Sequence, residues 1–497
     1  MKYDTTRITF DRAKHYRSVL MQQGRVQLDA DWNEQVSILH HYLRTLASDL
    51  LGPGAGPEGA CGFELIVDKD RLNALAKDLG IIDPKALPDL AKELIIISPG
   101  RYYVNGLLAE NEGLLSFGEN NQPDAVKNIK DTLNPDHPLL LMYLDVWERH
   151  ITFIEDDEIR EKALGGPDTA TRAKTEWAIR ARPFDDEIKP KNPITLSPPP
   201  NKVKIEEWRK DLQPQFEAWS QKQWTNRPCL RAGIKQQSEK SDDPCACSPE
   251  SVYGGLENQL YRVEIHRPGP AWNGTDKSDA TMSGVATFKW SRDNGSVVAA
   301  WLDDEDDTLK VSGARDQARG FGRGQWVELS DEQHDLEATP GTLVQLTEVE
   351  AGSLTFDPTT ASTGSVMGRQ NFGRNAKVRR WDQKATEEIS LNGGAITIQY
   401  DKWFDLEDGV QVQFKALDGK DPGQFNSGDY WLIAARVANR DIEWPWESDA
   451  KEERQALLPH GIKHYSALLG LLAAGADKTF AFGDLRSKFA PQLSSAP

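Results

Sequence analysis

The residues whose types could support hydrolysis lie in or just after one apolar segment. Asp145, Glu148 and His150 are close together in sequence, and a hydrolase needs a carboxylate pair or a nucleophile beside a base. Asp145 and Glu148 are three positions apart in a segment with the composition of a strand, so their side chains point to opposite faces of the sheet. They are therefore not a carboxylate pair, and His150 would need a serine from elsewhere in the chain.

Three of the four cysteines form a second group of potential ligands. Cys229, Cys245 and Cys247 lie within nineteen residues, and their thiolates with His266 or a nearby carboxylate would satisfy tetrahedral zinc. The Cys-x-Cys spacing is atypical for zinc, and the alternatives are a disulfide from Cys229 to Cys245 or Cys247, and free thiols. With Cys61 as the fourth, the cysteines are too few for a disulfide scaffold. We expect no tightly held metal.

Other chemical motifs are weak or absent in the sequence. The acidic run at 303–307 lacks the alternating ligands and the glycine of a calcium loop, and charge is expected at the edge of a hairpin. The glycines of 320–324 follow no strand that opens into a helix, and no nucleophile elbow, zinc-protease helix or phosphate loop occurs. The sequence thus predicts no catalytic residue, no metal and no cofactor, hence a non-enzymatic protein.

The charge balance restricts the class of partner. The chain has 77 acidic and 59 basic residues and a formal net charge of −18, so a polyanion such as nucleic acid is repelled at long range. No apolar run approaches the roughly 18 residues of a membrane span, and the N-terminus lacks the apolar core of a secretion signal. We expect no nucleic-acid partner, no membrane insertion, and synthesis and assembly in the cytoplasm.

One helix is the most strongly specified element. Asp31 and Glu34 have capping-box spacing, so the helix should begin at Asp31 and run to Gly52 and Pro53. Its apolar residues recur at alternating steps of four and three, which is a heptad seam. The seam consists of Trp32, Val36, Leu39, Leu43, Leu46 and Leu50.

Three heptads are marginal as a free helix, so the seam needs other protein to cover it. Either the helix packs on its own domain, or it associates with other copies and is preceded by an extended arm from about residue 20. In both alternatives it is an assembly or docking element. It is not catalytic in either.

The fold class expected from the remaining sequence is mainly β, with sandwich- or barrel-like domains, the N-terminal arm and heptad helix, and helical insertions. Residues 138–147 are the most apolar run and predict a strand buried on both faces, and Asn105-Gly106 predicts a hairpin turn. Asp293-Asn294-Gly295 predicts a hairpin between strands at 286–292 and 296–301. Short strands separated by glycine, proline and aspartate then continue to residue 437, as in a sandwich or barrel.

We divide the chain into five predicted segments. These are the arm and docking helix at 1–62, a β-rich domain with a helical insertion at 63–183, a connector with a helix at 184–250, an all-β domain at 251–446, and a C-terminal segment and tail at 447–497.

Tryptophan is abundant, with 15 residues in the chain. Large rigid rings in strand-like segments favour packed sheets, and the alternative is a platform on which sugars stack. The tryptophans in question are Trp147, Trp290, Trp326, Trp403 and Trp431.

Several long motifs resemble an uncharacterised bacterial family found among phage-tail-like and contractile-injection-system proteins. The resemblance begins with TRITFDRAKHYRSVLMQQGRVQLDADWNEQ and continues in PGRYYVNGLLAEN, YLDVWERHITFIED, YGGLENQLYRVEIH, GQWVELSD and GDYWLIAARVANRDIEWP. It covers most of residues 1–465. The family has no catalytic residues to carry over.

The resemblance implies a structural subunit in the baseplate, spike or fibre-attachment region of a tail-like particle that is released or attached to a membrane. Its partners would be other subunits of the particle, and a homo-oligomer, with a trimer favoured, is expected. The alternatives are a carbohydrate-binding or glycan-cleaving module at the particle tip, and a cargo or plug protein carried by the particle.

Overall fold

The computed structural model describes residues 5–81, 95–117, 138–166, 168–196, 201–225, 227–235, 252–274, 284–312, 320–362, 366–417, 423–448, 450, 452–474 and 480–490. Four helices lie in these ranges: α1 (Asp29–Leu51), α2 (Lys69–Asp78), α3 (Lys202–Thr225) and α4 (Glu332–Glu337). None of the described helices is long and apolar enough to cross a membrane. Most regular structure is β, which confirms the predicted fold class.

The chain forms two compact units, each assembled from separate stretches of sequence. The helix unit contains Ile8–Glu148, Lys174–Thr225 and Lys463–Pro497, and the barrel unit contains Met1–Arg7, Arg149–Ala173 and Asn226–Ile462.

Three small sheets build the helix unit. Their strands are β1 (Gly54–Pro57), β2 (Leu65–Ile66), β3 (Ile96–Ile97), β4 (Gly100–Val104), β5 (Leu107–Asn111), β6 (Leu115–Ser116), β7 (Leu139–Ile151), β8 (Arg172–Pro183), β24 (His464–Ala474), β25 (Phe480–Asp484) and β26 (Lys488–Phe489). The strand orders are β26-β1-β4-β5, β2-β3-β6 and β25-β24-β7-β8.

Strand β7 is buried on both faces, as its apolar run predicts. Leu140 and Met142 point into a core shared with Tyr102 of β4, whereas Leu141 points to the other face and packs with Phe216 of α3. Because side chains alternate along a strand, one continuous apolar run serves both layers.

A closed barrel and a sandwich-like pair of sheets build the barrel unit. Its strands are β9 (Cys229–Ile234), β10 (Gln259–Arg267), β11 (Thr287–Ser291), β12 (Val298–Glu305), β13 (Thr308–Ser312), β14 (Trp326–Ser330), β15 (Thr342–Glu350), β16 (Ser353–Asp357), β17 (Lys377–Trp381), β18 (Leu391–Asn392), β19 (Ala395–Thr397), β20 (Trp403–Asp405), β21 (Val410–Lys415), β22 (Tyr430–Arg436) and β23 (Asp441–Glu443).

The barrel has the order β12-β13-β16-β15-β14-β17, and the other two sheets have the orders β18-β19-β11-β10-β22-β23 and β20-β21-β9. These two sheets share one apolar core, which includes Val263 of β10 and Phe414 of β21. Such face-to-face burial is the arrangement of a β-sandwich.

The predicted hairpin between residues 286–292 and 296–301 is wrong. The turn itself forms, because Asn294 and Gly295 have φ of 54° and 68° and Ser296 N–H donates to Asp293 O. However, β11 pairs with β10 and β19, while β12 pairs with β13 and β17 in the barrel. One edge of each strand is filled by its neighbour in sequence, β10 or β13, and the other by a distant strand, β19 or β17. The turn therefore joins two sheets.

The structure groups the chain differently from the five predicted segments. The C-terminal residues 464–473 pair antiparallel with β7, so β24 is an inner strand of the helix unit. Within the predicted connector, α3 packs on β24 and β9 pairs with β21 of the barrel unit. The reason is that strand partners lie up to several hundred positions apart, which local composition does not encode.

Candidate assembly surface

Helix α1 begins two residues before its predicted start. It runs from Asp29 to Leu51, and Asp31 is its third residue, with a carboxylate that accepts from Leu28 N–H at 3.1 Å. Asp31 is therefore not the N-cap. The carboxylate satisfies a backbone donor that the first turn leaves free. The end at Gly52 is as predicted, with φ of 76°.

One face of α1 packs on its own unit. Ala30 and Ile38 are buried, and the helix lies against β1 and β4. The Arg44 guanidinium contacts the Glu148 carboxylate at 2.5 Å. The turn predicted at Asn105 and Gly106 lies against α1: a Cβ added to Gly106 would come within 2.3 Å of Arg44 O. These contacts fix the position and rotation of α1.

The segment before α1 is attached at a few points. Thr9 Oγ1 donates to Glu34 at 2.5 Å, Val19 N–H donates to the side-chain oxygen of Gln35 at 2.8 Å, and the rings of Phe10 and His41 are 5.6 Å apart. These contacts use the flank of α1.

The heptad seam is on the opposite face of α1. The exposed fractions are 62% for Trp32, 53% for Leu39, 54% for Leu43, 48% for Leu46 and 74% for Leu50, and Val36 is half-buried. The helix thus packs on its own unit, as in the first alternative, but through residues outside the seam. The helix uses Ala30, Ile38 and Arg44 for its own unit and leaves five of the six seam residues about half or more exposed.

The exposed apolar surface extends beyond the seam. Tyr42 lies beside the seam and is 69% exposed. Upstream of α1, four apolar residues of the arm are more than half exposed: Tyr16, Leu20, Met21 and Val26. We call the arm (residues 16–28) and the outer face of α1 the assembly surface. A group of exposed apolar residues of this kind is a candidate interaction site.

Two inward-facing residues and one outward-facing residue of α1 were missed by the sequence interpretation. Ala30 and Ile38 are eight residues apart, so helical spacing could have identified a second buried stripe. Tyr42 could have been found as the residue next to Leu43 on the seam. The assembly role of the six seam residues stays a prediction.

The carboxylates considered for hydrolysis contact basic side chains of the helix unit. Asp145 contacts Arg180 at 2.7 Å and His464 at 3.0 Å, while Glu148 is paired with Arg44. Burial lowers the pKa of His150 to about 3, so this imidazole is neutral at physiological pH. The structure does not bring Asp145 and Glu148 together as an acid–base pair.

No cluster of three or more His, Cys, Asp or Glu side chains suited to a metal occurs in the part of the chain that the structure describes. Cys61 and Cys229 are half-buried free thiols there, and burial raises the pKa of Cys229. Cys245 and Cys247 lie outside the described residues. In the acidic run, residues 303–305 end β12 and residues 306–307 form the turn to β13, with Asp306 at φ of 53°.

The five tryptophans singled out from the sequence do not form a common platform. Trp147, Trp290, Trp326 and Trp431 are each at most 7% exposed, whereas Trp403 is 38% exposed. The four buried rings thus form part of the hydrophobic core, as expected for packed sheets. These five tryptophans therefore do not support a sugar-stacking platform.

Comparison with known proteins places the chain in one family. A family model described as "Family of unknown function (DUF6519)" matches residues 1–189 and 220–482, and the chain belongs to this family. The unmatched residues 190–219 include most of α3. No curated protein matches, and no solved structure matches.

Proposed function

We propose that this protein is a structural, non-enzymatic subunit of a contractile injection system or phage-tail-like particle, in its baseplate, spike or fibre-attachment region. The observation that carries the proposal is the assembly surface, on which five of the six seam residues are about half or more exposed. The kind of particle is the one that the resemblance of the long motifs described above implies.

The geometry of α1 supports a docking role. A helix that is held by its own unit on one face presents the other face without reorganisation, which reduces the entropy cost of binding. Each leucine of the seam that becomes fully buried contributes about 1.5–3 kcal/mol at most. The four leucines and the tryptophan would form the apolar centre of such a contact.

The decisive experiment replaces Leu43 by Glu in the organism that produces the particle. The variant should fold, because Leu43 is 54% exposed, and should be missing from purified particles, because a buried carboxylate would lose its water without a partner. The matched control is Leu256→Glu at a residue that is 95% exposed. Incorporation of the Leu43 variant at the level of the control would refute the docking role.

Two further measurements separate the alternatives. A structural part occurs in a fixed, symmetric number of copies per particle, whereas a cargo protein does not, so quantitative mass spectrometry of particles distinguishes the two. For the absence of enzymatic activity, we expect no turnover of peptidoglycan, polysaccharide or ester substrates. Turnover that one carboxylate substitution abolishes would disprove that part of the proposal.

A further inference from the structure

The period of the exposed seam restricts what can cover it. A straight α-helix drifts by about 20° per heptad relative to a 3.5-residue repeat, so a seam of strict heptads stays in contact only with a helix that follows the same supercoil. Knobs-into-holes packing therefore requires a second heptad seam. Within the described residues, α1 itself supplies that seam, with Val36, Leu43 and Leu50 at a and Trp32, Leu39 and Leu46 at d.

The residues beside the seam permit α1 to pair with itself. The e and g positions are Asn33, Gln35, His40, Tyr42, Ala47 and Asp49, of which only Asp49 has a formal charge at pH 7 with histidine neutral. Complementary charges at these positions normally select a different partner, and like charges oppose self-pairing. Neither occurs here. Two copies of α1 meet no charge repulsion along the seam.

The attachment of α1 to its own unit makes such pairing feasible with only three heptads. An isolated helix of this length is marginal in water, but α1 is held in place by buried Ile38 and by the Arg44 and Glu148 ion pair. Helix formation is therefore complete before association.

The arm enlarges the surface that a second copy would cover. Leu20 and Val26 are 83% and 84% exposed, and the arm with α1 runs from residue 16 to 51. This length supplies the roughly 20–30 residues per partner that a standard interface contains.

We infer that the seam of α1 is covered by the seam of α1 from a second copy of this chain. The inference rests on the proposed function and names the partner at the same surface. The arm of each copy lies in the same interface and continues it beyond the N-terminus of α1.

The first test uses the full chain purified alone, without other particle proteins. Light scattering should show an oligomer, whose mass gives the number of copies. Leu43→Glu and Leu43→Lys should each weaken association by at least roughly 100-fold, because either charge would be desolvated at the seam. Leu256→Glu is the control and should keep the mass of the unmodified protein. All variants should keep the main thermal transition.

The second test mixes variants that carry opposite charges. If the helices are parallel and in register, Leu43 meets Leu43, and a mixture of Leu43→Glu with Leu43→Lys should associate although neither variant does alone. If they are antiparallel, Leu43 meets Leu39, and a mixture of Leu43→Glu with Leu39→Lys should associate instead. Restoration in either mixture requires contact between seams of two copies, and the mixture that succeeds gives the orientation.

The inference is overturned if the unmodified chain is a monomer at high micromolar concentration, if Leu43→Glu keeps the oligomer mass, or if neither mixture associates. The proposed function has a separate readout. A chain that is monomeric alone, but whose Leu43→Glu variant is excluded from particles, would dock on a different subunit. Then the self-pairing fails and the structural role remains.

Discussion

Nδ1 of His464 lies 3.0 Å from both carboxylate oxygens of Asp145, although the two residues are separated by 319 positions in the chain. Arg180 of β8 contacts the same carboxylate at 2.7 Å. Burial by itself would raise the pKa of Asp145, but the charge and hydrogen bond of His464, with those of Arg180, hold this pKa below its ordinary value. One carboxylate thus joins β7, β8 and β24.

Replacing Asp145 by Asn should destabilise the protein by about 1.5–3 kcal/mol, because hydrogen bonds to charged groups contribute on this scale. The loss should be visible in urea unfolding monitored by tryptophan fluorescence. Glu148→Gln is the matched control on the same strand. Its partner Arg44 is partly exposed, so the loss there should be about 0.2–1 kcal/mol. Equal losses would mean that the buried carboxylate has no special structural role.

Gly106→Ala should destabilise the helix unit. The residue has φ of 77°, which costs a residue with a side chain about 1–2 kcal/mol, and the added Cβ would lie 2.3 Å from Arg44 O. We expect a total loss of about 2–4 kcal/mol. Gly24→Ala tests the backbone cost alone, since φ is 72° and no atom lies within 4 Å. If both variants lose the same stability, the contact of α1 with the turn is unimportant.

Ile38 and Leu39 are neighbours in α1 that differ in burial. Ile38 is 5% exposed, so Ile38→Ala should cost about 2–5 kcal/mol of unfolding free energy. Leu39 is 53% exposed, so Leu39→Ala should change the stability of the single chain by no more than about 0.5 kcal/mol while weakening association. Thermal unfolding at low concentration and light scattering at high concentration measure the two effects. A large loss of single-chain stability in Leu39→Ala would contradict an uncovered seam.

Acid should destabilise the barrel unit through Glu155. Its carboxylate contacts buried Lys377 at 2.7 Å. Burial opposes ionisation, but Lys377 and Thr152 lower the pKa of Glu155 from 4.5 to about 2. The folded state therefore binds fewer protons than the unfolded state between these values. The resulting contribution of about 3 kcal/mol is complete above pH 4.5 and is lost as the pH falls towards 2.

Urea unfolding between pH 6 and pH 3 measures this contribution. Glu155→Gln should be less stable at pH 6 and should lose less stability on acidification than the unmodified protein. Glu158→Gln, at an exposed position three residues away, should keep the original pH dependence. The same slope in all three proteins would exclude Glu155 as a source of the acid sensitivity.

The sequence by itself determined the elements whose signals are local. The seam of α1 follows from residue spacing, its end from Gly52, the turn at Asn105 and Gly106 from the positive φ that this pair tolerates, and the two-sided burial of β7 from an apolar run. Helical period, turn chemistry and apolar content act within a few residues. For this reason they can be read without a structure.

Only the tertiary structure decided which face of α1 is covered. The spacing of the seam residues was compatible with packing inside the domain and with docking outside it. In the structure, Ile38 and Arg44 contact the domain, so the face that carries the seam is left exposed. The separation of β11 from β12 and the contact of Asp145 with His464 were also undetermined. Each depends on at least one partner that is far away in the chain. All strands compete for edges and for burial, and no local sequence pattern encodes the outcome of that competition.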